Sequence, residues 1–165
     1  MTGKELERLA HNIKPGGWSV ASDVPISTLL GSCVAVCLFD PKLKVGGMNH
    51  FLLPSRSSEE LDTDTILSGA YSMEVLVNAL LARGAQKSRL IAKIFGGGTI
   101  VSSIHMAIGQ RNVDFAMDWL KREGIAVVAS DVLGPWSRKV IFVPSNGDAY
   151  CHRRAVTQDV AAMVS

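Results

Sequence analysis

Apolar residues fall in short runs in the first third of the chain, and these runs predict strands. Residues 18–30 predict one or two strands, with Pro25 marking a break. Cys33–Phe39 is rich in valine, alanine and leucine and predicts a buried strand, with Val45–Leu53 as its partner. The intervening residues 40–43, Asp-Pro-Lys-Leu, are a turn signal, so the two strands are expected to form a hairpin.

Two later stretches have helical periodicity. Asp62 and Asp64 suit the first turn of a helix, and Gly84 suits the position just after its last turn. A second helix is predicted over about 112–123, after a loop over 104–109. The apolar stripe of the first helix consists of Ile66, Leu67, Ala70, Met73, Leu76, Val77, Leu80 and Leu81.

The order of the elements predicts the fold class. Further short strands are expected at Leu90–Phe95, Ile125–Ser130, Lys139–Val143 and Ala149–Arg153. The predicted order is strands, helix, strand, helix and strands. This order favours an α+β fold, a layered sandwich of mixed β-sheet with two main helices. We expect one domain over 1–165, with a peripheral N-terminal segment (1–15), a polar loop (54–62) and a C-terminal tail (155–165).

Composition narrows the class of protein. The chain has 165 residues, of which 47% are hydrophobic and 19% charged, so a substantial core can form. The formal net charge is only +2 and the basic residues are dispersed, which argues against a nucleic-acid surface. No apolar run is long enough to span a membrane, and the charged N-terminus lacks a secretory core, so we expect a cytoplasmic protein whose three cysteines are free thiols.

One thiol and one imidazole are brought together by the predicted hairpin. If residues 40–43 form the loop, the numbers of paired residues add up to 83, and Cys33 stands directly opposite His50. Opposed residues share one face of an antiparallel pair, with Cβ atoms about 4.5–5.5 Å apart. A cysteine next to a histidine can act as a nucleophile with its base, and the adjacent Gly31-Ser32 turn could present backbone N–H groups to an oxyanion.

Each of these residues also has a structural interpretation. A free cysteine is among the most buried residue types, so Cys33 could simply fill the core, and Cys37 is expected to do so. A zinc site made by Cys33, Cys37 and His50 is less favoured, because the spacing is not that of a zinc knuckle. Gly96-Gly97-Gly98 lacks the signature of a phosphate loop and is typical of a turn at a close backbone approach.

Several motifs taken together resemble the chemoreceptor glutamine deamidase family, CheD. They occur in the family's order and cover roughly residues 18–153. They are Leu29–Leu38 (LLGSCVAVCL), Gly47–Pro54 (GMNHFLLP), Ala92–Gly98 (AKIFGGG), Ile108–Asn112 (IGQRN), Asp131–Gly134 (DVLG) and Arg138–Val140 (RKV).

The resemblance implies a cysteine hydrolase with the layered fold of glutamine-deamidating toxins. Cys33 matches the family nucleophile and His50 its base. The third catalytic position, a threonine in the family, falls on Ser27, which keeps the hydroxyl but lacks the methyl group that stiffens χ1; Thr28 is the alternative. Supporting positions are Gly31 and Ser32 near the oxyanion, and Gly96, Gly97, Arg111 and Asn112 in substrate-binding or structural loops.

The resemblance also implies partners and leaves alternatives open. The expected substrates are glutamine side chains in the cytoplasmic domains of methyl-accepting chemoreceptors, with no cofactor or metal, no nucleic acid and no membrane insertion. The protein is expected to be a monomer and to bind a CheC-type receptor-adaptation phosphatase. If Ser27 marks weakened catalysis, the chain could instead be a binding module that regulates such a phosphatase. Methylesterase or amidase action on the same receptors is a third hypothesis, because thiol–imidazole chemistry also cleaves esters.

Overall fold

Strands dominate the structure. The computed structural model describes residues 2–53, 61–99 and 103–155, without the side chains of 61–67 and 103–107, and these ranges contain nine strands and three α-helices. The helices are α1 (Gly3–Leu9), α2 (Leu61–Ala82) and α3 (Ser103–Arg122). The strands are β1 (His11–Asn12), β2 (Trp18–Ala21), β3 (Ile26–Leu30), β4 (Val34–Asp40), β5 (Val45–Asn49), β6 (Ile91–Gly96), β7 (Ala126–Val132), β8 (Trp136–Phe142) and β9 (Ala149–Ala155).

The strands form two sheets that pack face to face. The front sheet has the order β1-β3-β8-β9, and the central sheet has the order β2-β5-β4-β6-β7. Both are mixed, because β1 runs parallel to β3 and β6 runs parallel to β7, whereas the other pairs are antiparallel. Helices α2 and α3 cover the other face of the central sheet. The α+β layered sandwich predicted from the sequence is therefore confirmed.

Strand β4 lies at the centre of these layers. All its residues are buried. Val34, Val36 and Leu38 pack with the helices, whereas Ala35 and Cys37 pack against the front sheet. A strand that is buried on both faces needs apolar residues at nearly every position, which explains the uninterrupted run that the sequence shows.

Most predicted elements are confirmed, but the start of α3 was placed too late. The helix begins at Ser103 and not near 112. The glycine that suggested a loop, Gly109, lies inside α3, where an added Cβ would be 2.4 Å from the carbonyl oxygen of Gly97. Gly109 is therefore required by a close approach of the helix to the loop after β6. Gly84, as predicted, follows α2 with φ +99°. Residues 54–60 of the predicted polar loop lie outside the described residues.

The predicted register of the central hairpin is wrong by two residues. Asp40 pairs with Val45 and Cys37 with Met48, so the loop is 41–44. The cause is the carboxylate of Asp40, which accepts hydrogen bonds from the backbone N–H groups of Lys42 (3.0 Å) and Leu43 (3.2 Å) while its own backbone remains in the strand. Consequently Cys33 does not stand directly opposite His50.

The N-terminal segment packs on the edge of the front sheet through two buried side chains, and most of its other residues are exposed. Helix α1 begins with a capping box between Thr2 and Glu5, and Leu6 is buried. Strand β1 adds to the edge of the front sheet, and Ile13, which follows it, is 5% exposed. The sequence signal is weak here because a two-residue strand has no periodicity. Of the predicted tail, only Ala155 is described, as the last residue of β9.

Within the described ranges, no helix combines the length and the apolar character that a membrane crossing requires.

Asp40 also connects the hairpin to the segment after α2. Its buried carboxylate accepts the backbone N–H of Gln86 (3.1 Å) and a two-pronged contact from the guanidinium of Arg89 (2.8–3.1 Å). Hydrogen bonds from Arg89 and from the backbone hold the pKa of Asp40 well below its usual range, against the opposing effect of burial. The ionised form of Asp40 therefore stabilises the fold.

Replacing Asp40 with asparagine should destabilise the protein. We expect Asp40→Asn to lower the melting temperature by roughly 5–10 °C, because a neutral amide cannot accept all these hydrogen bonds and leaves the partly buried guanidinium of Arg89 without its ion pair. Since the folded-state pKa is depressed, the contribution of Asp40 is present above the unfolded pKa of about 4 and is lost as the pH falls below it. Thermal denaturation at pH 7 and pH 3 measures both effects.

The matched control is Asp118→Asn, which removes an exposed i,i+4 ion pair with Arg122. It should change the melting temperature by less than about 2 °C. Equal melting temperatures for Asp40→Asn and wild type at pH 7 would contradict the assigned role of Asp40.

Candidate active site

His50 lies where β5 ends, between the two sheets. Its backbone N–H donates to the carbonyl oxygen of Gly17 (3.0 Å), and its carbonyl oxygen accepts from Gly16 (2.8 Å). Its side chain points the same way as that of Met48, two residues earlier, into the layer between the sheets. Only 2% of the residue is exposed. The imidazole is thus held by the backbone on one side and by sheet packing on the other.

Thr28 is the side chain that orients the imidazole. Its Oγ1 lies 2.6 Å from His50 Nδ1 and 2.7 Å from the carbonyl oxygen of Ile13. A carbonyl oxygen only accepts, so the hydroxyl proton of Thr28 points to Ile13. The same hydroxyl oxygen then accepts the proton on Nδ1, which leaves Nε2 as the unprotonated nitrogen of a neutral ring.

Ser27 does not occupy this position, and the expectation placed on it is wrong. Successive side chains of a strand point to opposite faces, so Ser27 and Thr28 cannot both face His50. Ser27 Oγ instead accepts a hydrogen bond from Asn12 Nδ2 (3.1 Å) at the outer side of β3. The hydroxyl next to the imidazole is therefore that of Thr28.

Burial keeps the His50 ring neutral. Desolvation lowers the pKa of His50 to about 4. Nε2 is buried and has no hydrogen-bond partner among the described residues. A neutral imidazole with Nδ1–H engaged and Nε2 unengaged is the form that can accept a proton from a nearby thiol.

Cys33 lies close to His50 through the register of the central hairpin. Val34 and Phe51 exchange both backbone hydrogen bonds (3.0 and 2.9 Å), so the same register continued by one residue sets Ala35 opposite His50. Cys33 is two residues from Ala35 and packs against the same inter-sheet core, so it is the diagonal neighbour of His50. Diagonal neighbours are about 7–8 Å apart at the backbone, within reach of side chains.

The Cys33 thiol is half-buried and neutral at rest. Burial raises its pKa, and a hydrogen bond from its own backbone N–H opposes that effect without cancelling it. The two groups are therefore a neutral thiol and a neutral imidazole. Because neither ion is stable by itself in this environment, any reaction of the thiol as a nucleophile would require proton transfer to the imidazole at the same time.

Two glycines hold the loop that carries Cys33. Gly97 donates its N–H to the carbonyl oxygen of Cys33 (2.8 Å), and Gly98 donates to that of Gly31 (2.9 Å). At Gly96 (φ +111°) an added Cβ would lie 2.2 Å from the carbonyl oxygen of Cys33. Gly96 and Gly97, proposed from the sequence as a substrate or structural loop, thus form the backbone support behind Cys33.

Asn112 fixes the same loop from the other side. Its Nδ2 donates to the carbonyl oxygen of Ser32 (2.8 Å), and its Oδ1 accepts the backbone N–H of Leu53 (3.0 Å). The neighbouring Arg111 donates to the carbonyl oxygen of Leu53 (3.1 Å). Asn112 is fully buried, so it links α3, the Cys33 loop and the segment after His50.

Sequence reasoning assigned no role to Arg138, although it supports this end of the sheets. Its fully buried guanidinium donates to Asp131 (2.7 Å) and to the carbonyl oxygens of Leu133 and Gly96 (3.4 Å to the latter). It joins β8 of the front sheet to the glycine loop behind Cys33. The available signal was a charged residue that faces the core side of a strand, but strand parity could not be assigned securely from sequence.

The other cysteines serve as packing. Cys37 is 1% exposed in the inter-sheet core, and burial raises its pKa. Cys151 packs against the same cluster, and burial raises the pKa of its thiol to about 11. Across the described ranges, no group of three His, Cys, Asp or Glu side chains is placed to hold a metal ion.

Comparisons with known proteins identify relatives over the whole chain. The family described as "CheD chemotactic sensory transduction" matches residues 52–153. The probable chemoreceptor glutamine deamidase CheD 2 of Dechloromonas aromatica is 55% identical over 100% of this chain and 85% of its own length. The protein of the same name from Burkholderia thailandensis is 47% identical, over 96% of this chain and 83% of its own.

A third relative and one solved structure extend the comparison. Probable chemoreceptor glutamine deamidase CheD 1 of Shewanella oneidensis is 44% identical over 87% of this chain and 72% of its own. The crystal structure of the hypothetical protein YfiH of Bacillus licheniformis aligns with 76% of this chain and 60% of its own, at a TM-score of 0.46 and 15% identity. That similarity is too low to inform the site.

The imidazole of His50 should titrate far below the usual range of histidine. NMR titration of the wild-type protein, with the His50 signal assigned by its absence in His50→Gln, should give a pKa of about 4. Because the folded-state pKa lies below the unfolded value of about 6.5, the free energy of unfolding should fall as the pH drops from 6.5 to 4. A His50 pKa at or above 6.5 would contradict the buried neutral ring.

Proposed function

The chain belongs to the CheD family, and from that premise we propose that it is a protein-glutamine deamidase. It converts specific glutamine side chains of bacterial chemoreceptors to glutamate and releases ammonia during chemotaxis adaptation. The observation that carries this proposal is the set of contacts from Ile13 through Thr28 to His50, which leaves the Nε2 atom of a neutral imidazole available beside Cys33.

The mechanism begins with a proton transfer from Cys33 to His50. As Nε2 takes the thiol proton, Sγ attacks the carbonyl carbon of the glutamine side-chain amide and a C–S bond forms. The negative charge moves to the amide oxygen, where the backbone N–H groups of the loop from Gly31 to Cys33 stabilise it. The imidazolium keeps its orientation because Nδ1–H still donates to Thr28.

The second half of the reaction regenerates the enzyme. His50 returns its proton to the leaving nitrogen, the C–N bond breaks, and ammonia departs from a thioester. Nε2 then takes a proton from water as the oxygen of that water attacks the thioester. The C–S bond breaks, His50 returns the proton to Sγ to restore the Cys33 thiol, and the carboxylic acid product ionises to glutamate by losing its proton to ammonia. Water and the amide are the only reactants that this sequence consumes.

The neighbouring residues support the nucleophile without reacting. Gly96, Gly97 and Asn112 fix the backbone around Cys33 through the contacts described above, and Arg111 fixes the segment after His50. Rigid support of this kind favours catalysis because the reacting atoms must be held within a narrow range of distance and angle. We assign these four residues to positioning.

The setting of the reaction follows from the substrate. The receptor segments that would be modified lie in the cytoplasm, so the protein is proposed to act there. We further propose that it is a single-domain monomer and that a CheC-type phosphatase is a second partner. The alternative of an inactive binding module depended on the absence of the catalytic threonine at position 27. Thr28 places a hydroxyl 2.6 Å from His50 Nδ1, which supports an active enzyme over the binding module.

Loss of the thiol should abolish deamidation. Incubation of wild-type protein with a chemoreceptor cytoplasmic fragment should raise the mass of the fragment by about 1 Da for each converted glutamine, with release of an equal amount of ammonia. Cys33→Ala should produce neither change. The matched control, Cys151→Ala, removes a thiol that only packs and should retain activity.

Ammonia and methanol, assayed together, separate deamidation from methylesterase action on a methylated fragment. Methanol release without ammonia release would contradict the deamidase proposal and favour the esterase.

Thr28 and Ser27 should differ sharply in their effect on rate. Thr28→Val removes the acceptor for Nδ1–H, and we expect kcat to fall by roughly 10²-fold with little change in KM, because imidazole orientation matters mainly in the transition state. Thr28→Ser keeps the hydroxyl and should recover most of that loss. Ser27→Ala should change kcat by less than about threefold. A larger loss for Ser27→Ala than for Thr28→Val would overturn the assignment.

A further inference from the structure

A groove crosses the outer face of the front sheet, on the side away from the central sheet. It encloses about 1090 Å³, and helix α1 forms one of its walls through Lys4 and Glu7. Strand pairing sets Leu29, Lys139 and His152 side by side along its floor, one from each of three neighbouring strands. The groove is therefore a continuous feature of the sheet and not a gap between loops.

Two large apolar side chains are exposed in this groove. Leu29 is 64% exposed and Tyr150 is 50% exposed. Both alternate with neighbours that face the inter-sheet core, so strand geometry directs them outward. Exposed apolar side chains grouped in a concave surface are typical of a protein-binding site.

The charge of the groove is predominantly positive. Among the described residues that line it, Lys4, Lys139 and Arg154 are cationic and one residue, Glu7, carries a carboxylate, which lies 3.8 Å from Lys139. The whole chain has a formal net charge of only +2, so this groove carries a local excess as large as that of the entire molecule. Such a surface attracts an acidic partner and raises its rate of association.

The groove lies on the opposite face of the front sheet from Cys33 and His50, and it reaches the end of that sheet where the Cys33 loop begins. Strand β3 carries Leu29 on the groove side and continues directly into the loop of Cys33. At the same end of the sheet, Ser137 lines the groove, and its neighbour Arg138 contacts Gly96 behind that loop. A receptor segment bound in the groove could therefore continue around this end of the sheet towards Cys33.

We propose that this groove docks an acidic amphipathic helix of the chemoreceptor substrate, separately from the reacting glutamine. The inference rests on the proposed function. A helix suits the groove because the backbone groups of a sheet face are already paired, so a bound segment must satisfy its own hydrogen bonds. The volume slightly exceeds the usual range of small-molecule pockets, and both apolar anchors and basic residues are present.

The first experiment measures binding without turnover. In a Cys33→Ala background, the affinity for a purified chemoreceptor cytoplasmic fragment is measured by calorimetry at low and at high salt. Tyr150→Ala and Arg154→Glu should each weaken binding about tenfold, and the effect of Arg154→Glu should shrink at high salt. The matched controls are Tyr71→Ala and Lys121→Glu on the helical side of the molecule, which should leave affinity unchanged.

The second experiment separates docking from catalysis in the protein with Cys33 intact. With the receptor fragment, the groove substitutions should raise KM about tenfold and leave kcat unchanged. With a short peptide that contains only the reacting glutamine and its immediate neighbours, the same substitutions should have no effect. Thermal denaturation checks that Tyr150→Ala and Arg154→Glu remain folded.

The outcomes distinguish the groove from the proposed activity. Deamidation that proceeds with equal KM in wild type and groove variants would overturn docking but leave the deamidase intact. Groove-dependent binding without any deamidation would support docking and overturn the activity. The docking proposal would be overturned if the control substitutions had equal effects, or if the Cys33→Ala protein did not bind the fragment. It would also be overturned if the protein self-associated and the groove substitutions abolished that self-association, because the groove would then bind a second copy of this chain.

Discussion

The hydroxyl of Thr28 determines the chemistry available at this site. It sits between an atom that can only accept, the carbonyl oxygen of Ile13, and Nδ1 of His50. Because of this arrangement, Nδ1–H donates to the Thr28 hydroxyl and that hydroxyl donates to Ile13, which fixes one tautomer of the ring. It also explains why the N-terminal segment belongs to the site. Without β1 and Ile13 beside β3, the hydroxyl of Thr28 could turn and donate to Nδ1. The ring proton would then lie on Nε2, and that nitrogen could no longer act as a base.

Cys33 is held by backbone geometry more than by side chains. Three glycines, Gly96 at the end of β6 and the two that follow it, bring their backbones against the loop, at distances that no side chain at Gly96 would permit. Asn112 and Arg138 then connect this assembly to α3 and to the front sheet. Each tie comes from a different element, so the position of the nucleophile depends on the packing of all three layers. A site supported in this way loses little orientational freedom when substrate binds.

The sequence predicted the layers and the proximity of Cys33 and His50, but not the contacts that connect them. Cys33 and His50 could be paired because a hairpin signal and two apolar runs are strong local patterns. The register of the hairpin could not be predicted, because the carboxylate of Asp40 accepts hydrogen bonds from its own turn and shifts the loop by one residue at each end. The choice between Ser27 and Thr28 depends on strand parity, which adjacent hydroxyl residues leave undetermined. Gly109 suggested a loop because its role, close contact between α3 and Gly97, is tertiary.

The neutral state of the thiol and imidazole has a consequence for specificity. Burial disfavours both the thiolate and the imidazolium, so Cys33 is a weak nucleophile towards small electrophiles and oxidants when the site is empty. In the proposed reaction, the proton moves only when a carbonyl group is placed to accept the sulfur and the oxyanion is stabilised. Reactivity then depends on accurate placement of one amide, and a flexible glutamine side chain contributes little binding energy to achieve it. Contacts remote from Cys33 must therefore supply that energy, and an acidic helix bound in a basic, partly apolar groove at the same end of the front sheet would do so.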